Sequence, residues 1–183
     1  MKPIRLTAAA MIVGLSTAAV AAENPMVGGA EMFANKTIVE NAVNSNDHKT
    51  LVAAVTQAGL VDTLNSKGPF TVFAPTDAAF GRISEQSLNQ LLMDEHKSQL
   101  AQILTCHVVA ASVMSDAIAA MISADGGAHP VHTVGGCTLT AQMKGGTITL
   151  TDENGRSANV TIADVQQSNG VIHVIDRVLL PKQ

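Results

Sequence analysis

Apolar residues fall at helical spacing through most of the first two thirds of this chain and alternate with Thr and other polar residues in the last third. Ile38, Val39, Ala42 and Val43 share one face of a helix, and Leu51, Val52 and Val55 form the buried stripe of a second. Asp47 is placed to cap that second helix and Gly59 to end it. Lys67-Gly68-Pro69 breaks the pattern. Residues 70–74 then read as a strand stopped by Pro75 and, being apolar at Phe70, Val72, Phe73 and Ala74, covered on both faces. Thr76 or Asp77 offers a cap to the helix that follows. Helices are expected around 87–93 and 95–104, a strand over 106–110 and a short helix over 115–122.

Beyond residue 122 the punctuation changes. Asp125-Gly126-Gly127, Gly135-Gly136, Lys144-Gly145-Gly146, Asp152 to Gly155 and Ser168-Asn169-Gly170 recur as turn signals about ten residues apart. Alternating segments such as 147–151 and 159–162 lie between them and predict hairpins. Helices first and strands later is an α+β order, not a repeating β-α-β one. At 183 residues the chain has material for a single domain with a substantial core.

Composition narrows the function. The chain has no Trp or Tyr and only four Phe, so its core is built from Val, Ile, Leu, Ala and Met. Base-stacking platforms and sugar-stacking clefts lean on aromatic faces, and a phosphate backbone rewards a basic patch. With a net charge of -4 and no run of Lys and Arg, nucleic acid is excluded as the expected partner.

Residues 1–22 read as an export signal. Lys2 and Arg5 precede an uncharged apolar stretch over 6–20, and Ala19-Val20-Ala21 supplies the small-x-small cleavage pattern. About 15 apolar residues are short for a membrane span, so a cleaved signal is favoured over the alternative of an uncleaved anchor, and no membrane insertion is expected of the processed chain. Cleavage leaves nine basic against fifteen acidic side chains. The expected location is the periplasm, the cell surface or the medium. In such an oxidising compartment two cysteines favour one disulfide, Cys106 to Cys137; two buried free thiols are the alternative. Residues 23–36 are expected to form a polar lead-in.

Three segments together carry a resemblance. Residues 70–80, Phe-Thr-Val-Phe-Ala-Pro-Thr-Asp-Ala-Ala-Phe, resemble the first signature of the fasciclin domain family, and 169–181, beginning Asn169-Gly170-Val171-Ile172-His173, resemble the second. Cys106-His107 stands where the family carries a Tyr-His pair, so a Tyr-dependent contact does not carry over. The resemblance covers about 37–181. It implies a wedge of β-strands packed with several helices, secreted or surface-attached, serving cell adhesion and matrix association. The family's Asp-Ile dipeptide upstream of the second signature is matched here by Asp164-Val165, which with His107 are the adhesion candidates the resemblance implies. Phe73, Pro75, Thr76, Asp77, Asn169, Gly170, His173 and Asp176 read as structural positions.

The remaining chemistry is sparse. His107 and His173 sit in apolar runs and are expected to be buried and hydrogen-bonded, His107 to Asp77. His129 and His132 with Cys137 fit no common zinc spacing, so no metal is expected. No G-x-S-x-G elbow and no phosphate-cradling Gly motif occurs. Asp152-Glu153-Asn154-Gly155 lacks the further oxygen ligands of a calcium loop and reads as a hairpin turn. The expectation is a non-catalytic adhesion or interaction module without a cofactor. It would present its outer face, not an inner cleft with convergent ionisable groups. Its partner would be a surface protein or matrix component, with weak self-association open. The alternative is a periplasmic carrier of a small ligand or metal, which needs a pocket.

Overall fold

The two signature segments lie side by side at the centre of the molecule. The computed structural model describes residues 24–182, so the export segment expected over 1–22 lies outside the described residues. Strands β3 (Phe70–Pro75) and β9 (Gly170–Ile175) pair in parallel, from Phe70 opposite Gly170 to Pro75 opposite Ile175. Around them a seven-stranded sheet runs β4-β3-β9-β8-β7-β6-β5. The other members are β4 (Val108–Val109), β5 (Ala128–His132), β6 (Thr138–Lys144), β7 (Thr147–Thr151) and β8 (Ser157–Gln167). Apart from the central pair, all neighbours are antiparallel.

Strand pleating sends alternate side chains to two separate apolar cores. Val72, Ala74, Ile172 and Val174 enter the first, which they share with α1 (Ile38–Ala42), α2 (Lys49–Ala58), α3 (Val61–Asn65) and α6 (Lys97–Thr105). Phe73 and Ile175 enter the second, closed by Ile118 and Ile122 of α7 (Ser115–Ala124) and by the hairpin strands through Leu139, Ala141, Ile148 and Leu150. The expected double coverage of the first-signature strand is thus realised, and the α+β wedge is the observed architecture. Between β3 and α6 the chain forms α4 (Asp77–Phe80), α5 (Glu85–Leu91) and a 3-10 turn over Asp94–His96.

Three local expectations are corrected. Asp47 does not cap α2. The cap position is His48, whose side chain makes no capping bond, and the Asp77 carboxylate accepts from the Lys49 and Thr50 N–H groups instead. The strand expected over 106–110 shrinks to two residues because Cys106 still ends α6 in helical geometry. The polar lead-in forms a small hairpin, β1 (Met26–Val27) with β2 (Ala30–Glu31), and buries Val27 and Met32 in the first core. Asn41 holds it there, exchanging bonds with the Phe33 backbone and donating to Gln167 Oε1. Gly59 ends α2 as expected, in the left-handed conformation at φ 72° that glycine adopts without a Cβ clash.

Candidate functional site

The polar residues of both signatures bind the chain's own backbone. Thr76 Oγ1 accepts from Ala79 N at 3.2 Å and starts α4. Asp77 stands at the head of α2, where its negative charge meets the positive end of the helix. Burial works to raise the Asp77 carboxyl, but the Thr50 and Lys49 donors and nearby His48 outweigh it and hold it below the usual carboxylate range. Asn169 is buried with its amide fully used: Nδ2 donates to Leu64 O at 2.7 Å and Ser66 O at 2.9 Å, and Oδ1 accepts from Ile38 N at 3.0 Å. Gly170 has no room for a side chain, since a Cβ would lie 2.1 Å from the Phe70 carbonyl oxygen. Asp176 accepts from the backbone and side chain of Asn159. His173 stacks on Phe73 with ring centroids 5.7 Å apart.

The three adhesion candidates are drawn into this framework. Val165 is 0% exposed in the first core and His107 is 2% exposed. His107 does not meet Asp77, a correction to the expected pairing. Its Nδ1–H donates to Ile103 O at 2.8 Å and its Nε2 accepts from Leu179 N at 2.9 Å, which fixes the neutral imidazole. Burial pushes its pKa down to about 4, against the opposing pull of the Ile103 carbonyl and Asp152. Asp164 is half-buried at φ 62° in an irregular stretch of β8. Its carboxylate accepts from both the N–H and the hydroxyl of Ser115, at the head of α7. Its own N–H donates to His173 Nδ1 at 3.2 Å, while His173 Nε2–H donates to Val113 O. Burial pushes His173 down as well. Asp164 therefore fixes the register between α7, β8 and β9.

Cys106 and Cys137 are joined, with Cα atoms 5.4 Å apart. His129 pairs with Asp125 at 2.6 Å and His132 contacts Thr138 Oγ1. Among the described residues no group of three or more His, Cys, Asp or Glu side chains is placed to hold a metal ion. Asp152 shapes the hairpin turn expected there: Oδ1 accepts from Asn154 N and Arg156 N, and Oδ2 from Leu180 N.

One feature runs against the outer-face expectation. An open cleft of about 650 Å³ lies between α4–α6 and the segment after β9, and Arg82, Arg156 and Arg177 all line it. Sequence reasoning missed it because the three arginines are separated by 73 and 20 intervening residues and form no local motif. The available signal was positional: Arg82 follows the first signature by two residues and Arg177 lies inside the second.

Comparison with known proteins agrees with this geometry. The sequence profile described as "Fasciclin domain" matches residues 46–181. The chain is 43% identical over 145 residues to Protein sll1483 of Synechocystis, covering 79% of this chain and 73% of that one. It is 33% identical over 179 residues to the cell surface glycolipoprotein MPB83 of Mycobacterium bovis, covering 94% and 74% respectively. Its fold is similar to a FAS1 domain pair from the insect cell adhesion molecule Fasciclin I. The TM-score is 0.69 at 21% identity, over 79% of this chain and 51% of that one. Among the described residues no helix is long and apolar enough to cross a membrane.

Proposed function

Because this chain belongs to the fasciclin domain family, we propose that it acts outside the cytoplasm as a non-catalytic interaction module of the adhesion type. The observation that carries this reading is the break in β8. Asp164 shifts the phase of the strand there, so that Val165 turns into the core while Ala163 and Gln166 on either side face solvent. The Asp164 carboxylate ties that stretch to α7, and a shallow groove of about 310 Å³ runs beside it past Ser115, Ala119, Thr147 and Ala163. A patch fixed in this way binds without the entropy cost of ordering a loop. In this reading Asp164 and Val165 shape the binding surface from beneath, and their exposed neighbours touch the partner, a surface protein or matrix component. Two of the similar proteins, a cell surface glycolipoprotein and an insect cell adhesion molecule, lend support.

The test is complementation of a deletion strain in a surface-attachment assay. Wild type should restore attachment, and Ala163→Arg with Gln166→Arg should not, although its melting temperature is unchanged. Full restoration by the double variant removes the patch from the contact.

A further inference from the structure

We propose that the arginine-lined cleft binds a small organic anion with an apolar body, its charged oxygens held by Arg177 together with Arg82 and Arg156. The inference goes beyond the interaction reading and does not depend on it. These three are the only arginines after residue 5, in a chain whose acidic side chains outnumber its basic ones, and all three reach one cleft. No Asp or Glu is among the described residues that line it. None of the three guanidinium groups has a hydrogen-bond or ion-pair partner among the described residues, and Arg177 Nε is buried with none.

Such an arrangement is unfavourable when empty. Like charges repel more strongly beside a low-dielectric wall than in water, and a buried N–H without an acceptor loses its hydration for no return. An oxyanion answers both terms, since the planar fork of Arg matches carboxylate geometry with paired hydrogen bonds. The remaining lining defines the rest of the ligand. Ile83, Leu91, Ile103 and Val178 offer apolar surface, and Gln90 and Gln99 offer polar contacts at the rim. The volume is within the range of small-molecule sites, about 300–1,000 Å³.

The frame is also preformed. Asp152 binds Arg156 N and Leu180 N at once, so the turn that carries Arg156 and the segment that carries Arg177 move as one piece. Leu179 N on His107 anchors the same segment to the end of α6. A ligand would meet charges already in place.

The experiment is isothermal titration of the full chain at low salt with decanoate as the probe. Decanol supplies the same apolar body without charge, and inorganic phosphate supplies charge without the body. Decanoate should bind once per chain and at least about tenfold tighter than either. Arg177→Gln should weaken it about tenfold or more. Arg82→Gln, at an exposed position that leaves the fold intact, should weaken it severalfold, and Lys144→Gln on β6 should leave it unchanged. No decanoate binding, equal binding by decanol or phosphate, or full affinity in an Arg82→Gln/Arg177→Gln variant would each overturn the proposal.

Discussion

On the helical side of the central strand pair, polar side chains reach backbone groups far away in sequence. Asn169 joins the start of β9 to the head of α1 and the end of α3, and Asp77 closes α2 from 27 residues downstream. On the hairpin side, β5 to β8 follow one another and each ladder is made with the next strand along the chain. The turn at the start of β6 is tied to the end of α6 and to β4 by the Cys106–Cys137 bridge and by Val134 N and Gly135 N on the Val108 and Thr105 carbonyls. The difference teaches where each half is vulnerable. The first rests on a few side chains with several partners each; the second spreads its stability over many equivalent ladder bonds and leans on a single covalent tie.

The largest effect expected from this contrast is at Asn169. Asn169→Ala removes three hydrogen bonds and strands buried backbone groups, a loss of about 4 kcal/mol in urea unfolding. A loss below about 1 kcal/mol would show that these groups find other partners and would erase the contrast. Replacing both Cys106 and Cys137 by Ala should cost about 3–4 kcal/mol, the entropy of a loop of 31 residues in the chain-entropy model. Amide exchange should then accelerate in β5 and β6 ahead of α2; uniform acceleration would mean that the halves are not separable.

Third comes acidification. His107 stays neutral in the folded chain down to about pH 4, whereas in the unfolded chain it takes up its proton near 6.5. A base with a lowered folded pKa contributes stability that is whole above the unfolded value and fades as pH falls toward the folded one, here about 3 kcal/mol. His173 and His48, both pushed down by burial, act in the same direction. Unfolding measured at steps from pH 7 to pH 4 should show the decline, and His107→Gln should flatten part of it. A wild-type profile already flat would remove His107 from the helical side's fasteners. The smallest effect is Asp77→Ala, about 1–2 kcal/mol, with amide exchange quickening first at the head of α2. Quickening at α4 alone would make Asp77 a local cap.

Much of this was legible in the residues. The signature strand, its stop at Pro75, the cap at Thr76, the end of α2 at Gly59 and the strand over 147–151 follow from local spacing and turn chemistry. What was not legible involves groups that meet only after folding. Asp47 had the right type and place for a cap, yet a carboxylate from the next segment took the role. His107 was correctly read as interior, but its partners lie on the backbone of α6 and after β9. Val165 looked available in a motif associated with contact, and only the break in β8 reveals that it turns inward. The arginine cleft has no sequence pattern because the sheet and helices bring its members together.

The parallel pairing of β3 with β9 makes the last strand of the described chain an interior strand of its sheet, third of seven. A nascent polypeptide that has emerged only as far as residue 160 holds two half-sheets with nothing between them. Neither apolar cluster is complete until residues 170–175 slot in, so closing both cores joins positions about a hundred apart, the kind of non-local contact that slows folding.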